Sequence, residues 1–589
     1  MTVFGTCIEF GTSLWFSSRA GNGEAASLRG NLMSISISVG ATSQNLLTRL
    51  NDDMLKRFHG SGHWGDDTLY DLARRHMEVA PDRPALSDGT CTLTYAQLLE
   101  LADAISVEFA EAGLRPGDRV AAWVSNRVEL GPLLLACARD GMVLCPSLHR
   151  THTAEEVATL TARVRARAIV AEDGFGAGGD IMAETQDQAH VGLRYRLAPP
   201  GPRDAAQIGR VFSRAAHSPG VPAGGPNQIV YLAFTSGTSG EPKGVLHSNN
   251  TLLANARAMA AAWHFDATEV IYSLSPLSHN LGFGALVLSL LCGGTMVLHD
   301  PARRISLLER LRETQASFLF GVPAHAMDLV AEIERDGAEG LEALRGFRIS
   351  GAAVPDGTVR RLLANGILAQ SGYGMTEGCS HHFTLPNDPP ERIVNSSGRA
   401  CDGYEVRIFA ADDPDRPLPQ GETGQVGGRG ASLMLGYFDD QWATETAFNR
   451  DGCFMTGDLG VLDETGYLRI VGRMKEIIIR GGHNIHPANI ERLATHHPLV
   501  EQAAAVPVSD ERLGEKVCLV VTGAGAVQID PVALLFHLAE EGLSKFDMPE
   551  YFLQVDKIPS SSNGKMLKRH LVTAIATGEL APQPIRWKG

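Results

Sequence analysis

Residues 235–245 read Thr235-Ser-Gly-Thr-Ser-Gly-Glu-Pro-Lys-Gly-Val245. Three glycines and four hydroxyl side chains fall within ten residues, and Lys243 adds a positive charge. Such a loop is lined with backbone N–H and side-chain O–H donors, which is what a polyphosphate requires. The apolar run Ile229 to Phe234 reads as a strand leading into it, and a helix beginning near Ser248-Asn249 follows. It is not a Walker A loop, because Pro242 precedes Lys243 and Gly244, not Ser or Thr, follows it. Taken alone, the same residues also read as a Gly/Ser surface loop.

Four downstream segments decide between these readings. They are Gly372-Tyr-Gly-Met-Thr-Glu377, Thr456-Gly-Asp458, Gly472-Arg-Met-Lys-Glu-Ile-Ile-Ile479 and Asn563-Gly-Lys565. Together with the loop, and in this order, they resemble the signature motifs of the adenylate-forming superfamily. That superfamily comprises acyl-CoA synthetases and other AMP-dependent ligases, the adenylation domains of peptide synthetases, and luciferases. The resemblance spans roughly residues 50 to 575, and five motifs in family order do not arise by chance.

The resemblance implies a multidomain α/β fold. A large N-terminal domain of βαβ-type sheets with a β-barrel-like part, residues 46–474, is expected to hold the ATP and acyl sites. A small mobile α+β domain, residues 475–589, is expected to carry the catalytic lysine, after an N-terminal extension at 1–45. It also implies roles. Thr235, Ser236, Gly237, Thr238, Ser239 and Lys243 would cradle phosphates. Tyr373 and Gly374, with Gly351, Ala352 and Ala353 as the opposite wall, would hold adenine. Thr376 would touch the α-phosphate, and Glu377 would bind Mg²⁺. Asp458 would accept from both ribose hydroxyls, with Arg473 alongside. Lys475 would be the hinge, Gly481 and Gly482 would line a CoA (pantetheine) tunnel, and Lys565 would bridge the acyl carboxylate and the α-phosphate. His279, in Pro276-Leu-Ser-His-Asn-Leu-Gly282, fits the motif bordering the acyl pocket; a plain core or capping histidine is the other reading.

The chemistry is coherent without the family. Activating a carboxylate with ATP sets anion against anion, so cations and donors must meet the charge that develops. Glu377 is a hard oxygen ligand suited to phosphate-bound Mg²⁺, and Asp458 suits a charge-assisted bidentate contact. Lys565 alone would read as an exposed lysine in a Gly turn before a basic helix (Lys568, Arg569).

The apolar, Gly-rich run Leu281 to Leu291 suggests a pocket wall without charge, with no fixed Arg, Lys or Asp evident there. The expected substrate is therefore a hydrophobic monocarboxylic acid, and the overall resemblance, including the stretch Gly542-Leu-Ser-Lys-Phe-Asp-Met-Pro-Glu-Tyr551, implies an alicyclic, aryl or medium-chain one, cyclohexanecarboxylate foremost. The expected reaction is acid plus ATP to acyl-AMP and pyrophosphate, then transfer to CoA. A stand-alone adenylating enzyme that loads a carrier protein is the alternative. Two departures from the family bear on this. Asn489 stands before Glu491 where many relatives have Glu, and Asp547 stands where many carry Lys near the CoA site. A non-catalytic relative is disfavoured, because Glu377 and Lys565 are both present. Acetylation of Lys565 by a lysine acetyltransferase would remove its charge.

Composition excludes other classes. A net charge of −15 disfavours non-specific nucleic-acid binding. Nine dispersed cysteines with no CxxC pair suggest reduced thiols and a cytoplasmic setting. The histidine pairs His381-His382 and His496-His497, and His59 with His63, lack the cysteines of a zinc set. Leu281 to Leu298 barely reaches spanning length and is glycine-interrupted, so it reads as a buried helix running into a core strand, with no membrane partner. Gly174-Phe-Gly176-Ala-Gly-Gly179 formally fits GxGxxG, but Glu172 and Asp173 intervene and a surface loop is expected. The first 40 residues read as a dispensable extension or an early start with Met33 as the true one; a monomer or homodimer is expected.

Overall fold

The computed structural model describes residues 34–39, 42–212, 220–235, 242–300, 305–352, 354–523, 527–560 and 566–587. The expected phosphate-loop residues Ser236, Gly237, Thr238 and Ser239, together with Ala353 and Lys565, lie outside the described residues.

Alternation of short apolar runs with amphipathic ones gives two large sheets. One has seven strands in the order Gly436–Tyr437, Lys243–Ser248, Ile229–Thr235, Val143–Cys145, Arg119–Trp123, Ala166–Glu172, Leu193–Leu197. Its last five strands run parallel, as βαβ crossovers require. The other has nine strands, with a parallel centre of Leu368–Met375, Gly346–Ile349, Phe318–Gly321, Val270–Ser273, Thr295–Leu298 and Pro84–Ser87. The helices are set by local signals. Thr68, Thr94 and Thr153 each make a reciprocal capping box, as does Ser248 with Thr251 at the start of Asn249–Trp263.

The main core lies between the two sheets and around the helices Asn249–Trp263 and Asn280–Cys292, where Phe283 and Leu286 meet Phe318 and Phe320. Side chains alternate along a strand, so Leu319, Phe347 and Ile349 face the opposite way, into a second core with Leu311, Leu329 and Val359. The run from Leu281 is a helix ended at Gly293 (φ +77°) that leads into Thr295–Leu298. Among the described residues no helix is long and apolar enough to cross a membrane. Gly174–Gly179 is a loop, held by the Ala154 N–H donating to Gly178 O at 2.9 Å.

The barrel-like part is a four-stranded antiparallel sheet: Tyr404–Phe409, Gly424–Gly430, Phe454–Leu462 and Leu468–Arg473. From Ile478 a separate six-stranded sheet builds the C-terminal part around the long hairpin Val500–Asp510 and Gly514–Gly523. That sheet has its own apolar core on each face.

Candidate active site

The phosphate-loop segment is the connection of a hairpin. Thr235 pairs with Lys243 across antiparallel strands, so the two ends of the loop stand side by side. The second strand then pairs with Gly436–Tyr437, Val245 opposite Tyr437. This pairing carries Tyr437 to the mouth of the hairpin, where Lys243 Nζ lies 4.7 Å from the ring centroid. The Tyr437 hydroxyl donates to Glu377 Oε1 at 2.9 Å, and the Met434 N–H donates to Glu377 O at 2.7 Å. Lys243, Tyr437 and Glu377 thus form one cluster. Burial raises the Glu377 pKa, and its own backbone N–H, Tyr437, Lys243 and Arg473 oppose that rise.

Thr376 is fixed from below by His247. Its carbonyl accepts from His247 Nε2 at 2.7 Å, and a carbonyl cannot donate, so the proton sits on Nε2. Burial pushes His247 down to about 4, against the opposing pull of that carbonyl, and the ring stays neutral. Gly374, at a bulge in the strand Leu368–Met375, lies where a Cβ would stand 2.2 Å from Cys379 O, so no larger residue fits this position.

Asp458 is nearly fully buried and doubly engaged. Tyr373 Oη donates to Oδ2 at 2.7 Å, and Arg473 Nε donates to Oδ1 at 2.8 Å. Register explains the second contact, since Asp458 and Arg473 are direct partners on adjacent strands. A carboxylate has about four lone-pair sites, so acceptor capacity remains on each oxygen. Gly351 (φ +96°) and Ala352 are exposed, following Ser350, whose hydroxyl donates to Gly372 O at 3.2 Å.

We expect Asp458→Asn, which keeps the shape and removes the charge, to lower kcat/KM for ATP by about ten- to a hundredfold. That is the loss of about 1.5–3 kcal/mol of charge-assisted bonding. Initial rates of AMP release at varied ATP check this, and the change falls mainly in KM.

His279 holds the N-cap position of Asn280–Cys292 without making a side-chain cap. Its ring stacks on His149 with centroids 4.1 Å apart and planes at 15°. His149 Nδ1 lies 3.2 Å from Ser278 Oγ, and the His149 N–H donates to His152 Nδ1 at 3.0 Å. Burial first, then neighbouring imidazoles, presses His279 to about 4 and His149 to about 3, so both are neutral. Ser147 Oγ donates to Phe234 O at 3.1 Å, which places this segment beside the start of the phosphate loop.

Lys475 lies in the 3-10 turn Met474–Glu476, directly after Arg473. The next residue, Glu476, pairs with Lys568 at 2.9 Å, and Lys568 also pairs with Glu491 at 2.7 Å. Burial disfavours the Lys568 ammonium, but the two carboxylates outweigh it and its pKa is raised. Sequence reading takes Lys568 as part of a basic helix; it is a half-buried tie between the turn Met474–Glu476 and the helix Lys568–Ala576. Gly481 and Gly482 turn between Ile478–Arg480 and His483–Ile485 with φ +57° and +86°. The Gly481 N–H donates to Leu513 O at 2.7 Å, and His483 Nε2 meets Asp547 Oδ1 at 2.8 Å. These contacts lie within the C-terminal sheet, apart from the cluster around Glu377. Asn489 Oδ1 accepts from Arg492 at 3.3 Å.

Tyr437, His247 and His149 were missed by sequence reading. None lies in a recognisable motif, and each reaches the site through strand register or a long-range contact.

A family model described as AMP-binding enzyme matches residues 73–438, and the AMP-binding enzyme C-terminal domain matches 489–565. The chain is 30% identical over 528 residues to a medium-chain fatty-acid–CoA ligase of Escherichia coli (strain K12), covering 88% of this chain and 92% of that enzyme. It is 30% identical over 553 residues to a salicyl-AMP ligase / salicyl-S-ArCP synthetase of Mycobacterium tuberculosis (strain ATCC 25618 / H37Rv), covering 90% and 95%. ATP-bound MatB from Rhodopseudomonas palustris superposes with a TM-score of 0.76 at 27% identity, covering 86% of this chain and 99% of that one. The chain therefore belongs to the AMP-binding enzymes, the adenylate-forming superfamily of acyl-CoA synthetases and AMP-forming ligases.

Proposed function

We propose that the protein is an ATP- and Mg²⁺-dependent acyl-CoA synthetase for a carboxylic acid with an apolar body. One observation carries this reading: Lys243 and Glu377 converge through Tyr437 at the mouth of the hairpin loop. The strand that ends in Met375 also presents Tyr373 to Asp458. Cation, metal-ligating carboxylate and ribose-type acceptor thus stand along one short segment.

In the first half-reaction an acid oxygen attacks the α-phosphorus of ATP, and pyrophosphate leaves with the electron pair of the broken P–O bond. Lys565 and Thr376 face the charge that develops on the α-phosphate and on the acid; Lys243 and the loop residues Thr235 to Ser239 hold the departing phosphates. The residues fit phosphate-bound Mg²⁺, since Glu377 offers one hard carboxylate and such an ion keeps several waters. When bound, the ion neutralises phosphate charge. Tyr373, Gly374 and Gly351 to Ala353 flank adenine, and Asp458 with Arg473 holds the ribose. In the second half-reaction the CoA thiol attacks the acyl carbon, its proton passes to solvent, and AMP leaves. The turn at Lys475 lets the C-terminal domain exchange Lys565 for the Gly481-Gly482 loop.

The apolar helix Asn280–Cys292 beyond His279 supports an alicyclic, aryl or medium-chain acid, with cyclohexanecarboxylate the first to test. Carrier-protein loading is the second reading. It is favoured by the salicyl-S-ArCP synthetase relative and by Asp547, paired with His483 where many relatives carry Lys. The setting proposed is cytoplasmic, with a monomer or homodimer.

The test is a panel of acetate, octanoate, benzoate, cyclohexanecarboxylate, a hydroxybenzoate and palmitate with ATP, Mg²⁺ and CoA, reading AMP and thioester mass. Thioester from one acid class is the expected result. Acid-dependent pyrophosphate exchange without thioester selects the carrier-protein reading. No exchange with any acid overturns both.

A further inference from the structure

Arg348 is fully buried. It lies in the strand Gly346–Ile349, whose Phe347 and Ile349 face the outer core, so Arg348 faces the inner side covered by the helices Asn249–Trp263 and Asn280–Cys292. Its guanidinium carbon stands 5.6 Å over the Phe383 ring. Nη1 donates to His382 O at 3.1 Å and reaches Gln370 Oε1 at 3.4 Å. Nε and Nη2 have no hydrogen-bond partner, and no carboxylate pairs with Arg348 among the described residues. Burial presses the guanidinium down to about 9, which leaves it a cation at neutral pH.

Nε and Nη2 meet no acceptor among the described residues. Gln370 is the direct strand partner of Arg348, and its Nε2 is also unpaired. His381 and His382, fully buried, share a contact of 2.8 Å between their Nδ1 atoms. One Nδ1 must donate to the other, so of the two neutral rings one has an Nε2 lone pair and the other an Nε2–H. Both Nε2 atoms are unpaired. Apart from that one lone pair, the unpaired atoms here are all donors. A buried charge without a partner is unfavourable, and an acceptor oxygen is what this cluster lacks.

Position ties the cluster to the acyl site. The guanidinium lies against Gly372, where a Cβ would stand 2.0 Å from Nη1. Gly372 opens the segment that runs through Tyr373 to Thr376 and Glu377, and Gly372 itself stands four residues, at most about 13 Å of chain, before Thr376. This cation escaped sequence reading because it enters from a strand outside the uncharged wall Leu281 to Leu291.

We propose that Arg348 forms a recognition subsite in the acyl pocket for an acceptor oxygen (phenolate, ketone or carboxylate) carried by the acid away from its reacting carboxylate. The inference rests on the acid-activating function proposed above. It narrows the substrate class: an aryl or alicyclic acid bearing a second oxygen function is preferred to its bare parent. A site built to bond such an oxygen rejects the analogue that lacks it, because its buried donors are then left unpaired.

The test measures kcat/KM by AMP release for matched pairs: benzoate and 4-hydroxybenzoate, cyclohexanecarboxylate and 4-oxocyclohexanecarboxylate, octanoate and octanedioate. The wild-type protein is expected to favour the oxygenated member of at least one pair by tenfold or more. Arg348→Met, of similar length and uncharged, is expected to lower that ratio at least tenfold. Arg348→Lys, whose shorter point charge cannot present the same fork, also lowers it and serves if the Met variant does not fold. Wild-type preference for the bare acid in every pair, or an equal fall for both members in either variant, overturns the subsite and leaves the ligase reading standing. Absence of acid-dependent AMP release from every pair overturns the ligase reading, and the subsite with it.

Discussion

Lys565→Ala is expected to slow acid-dependent ATP–pyrophosphate exchange by two to three orders of magnitude. Transfer from preformed acyl-AMP to CoA should stay within a few-fold of wild type. The argument is electrostatic. Carboxylate and α-phosphate repel until a donor lies between them, and one positioned donor of this kind contributes about 3–4 kcal/mol at the transition state. Once acyl-AMP exists the repulsion is gone, so the second half-reaction has no use for the same ammonium. Lys565 lies outside the described residues, but its flanks do not. Ser560 and Met566 form an isolated antiparallel bridge with each other, and Lys568 is tied to Glu476 in the turn Met474–Glu476 and to Glu491. The chain three residues beyond Lys565 is thus coupled to the turn about which the domain is proposed to rotate. Acetylation of Lys565 removes the same charge and is expected to reproduce the same split. Equal losses in both half-reactions would mean that the residue supports the fold, not the chemistry.

The features legible in the sequence are those written contiguously. Gly372 to Glu377 sits in one strand and its turn, and Thr235 to Lys243 in one hairpin connection, so each needs only local geometry to be read. The helix start at Ser248-Asn249 is legible for the same reason. What could not be read were contacts made by register and packing. Tyr437 lies 60 positions from Glu377 and reaches it because its two-residue strand pairs with the second strand of the hairpin. His247 lies 129 positions from the carbonyl it fixes. Charge misleads in the same way: Lys568 looks solvated until Glu476 and Glu491 are brought around it, and Arg348 carries no local sign that it will be fully buried. The contacts that enclose a charge come from residues distant in sequence, and those are invisible to periodicity.

Glu377→Gln should be the second severe variant, lowering AMP formation by about 10²–10³ and raising the Mg²⁺ concentration needed for half-maximal rate. The substitution is conservative toward the protein. The Gln amide oxygen can still accept from Tyr437, which holds Oε1 at 2.9 Å, and the main-chain bond from Met434 is untouched. The thermal midpoint should therefore hardly move, which separates lost chemistry from lost structure. What disappears is the anionic oxygen that a phosphate-bound cation would meet beside Lys243. The pH dependence sharpens the test. Burial raises the Glu377 pKa above the ordinary carboxylate range, so in the metal-free protein the group takes up a proton at higher pH than an exposed glutamate. The native state then binds that proton more tightly than the unfolded chain. The contribution of Glu377 to stability is accordingly largest at low pH and declines as pH rises from the ordinary to the raised pKa. A metal ion competes with the proton, so the acid limb of wild-type activity should move to lower pH as Mg²⁺ increases. In Glu377→Gln that limb has no carboxyl to titrate and should lose its Mg²⁺ dependence. An acid limb that shifts with Mg²⁺ equally in both proteins would assign the metal contact to another group.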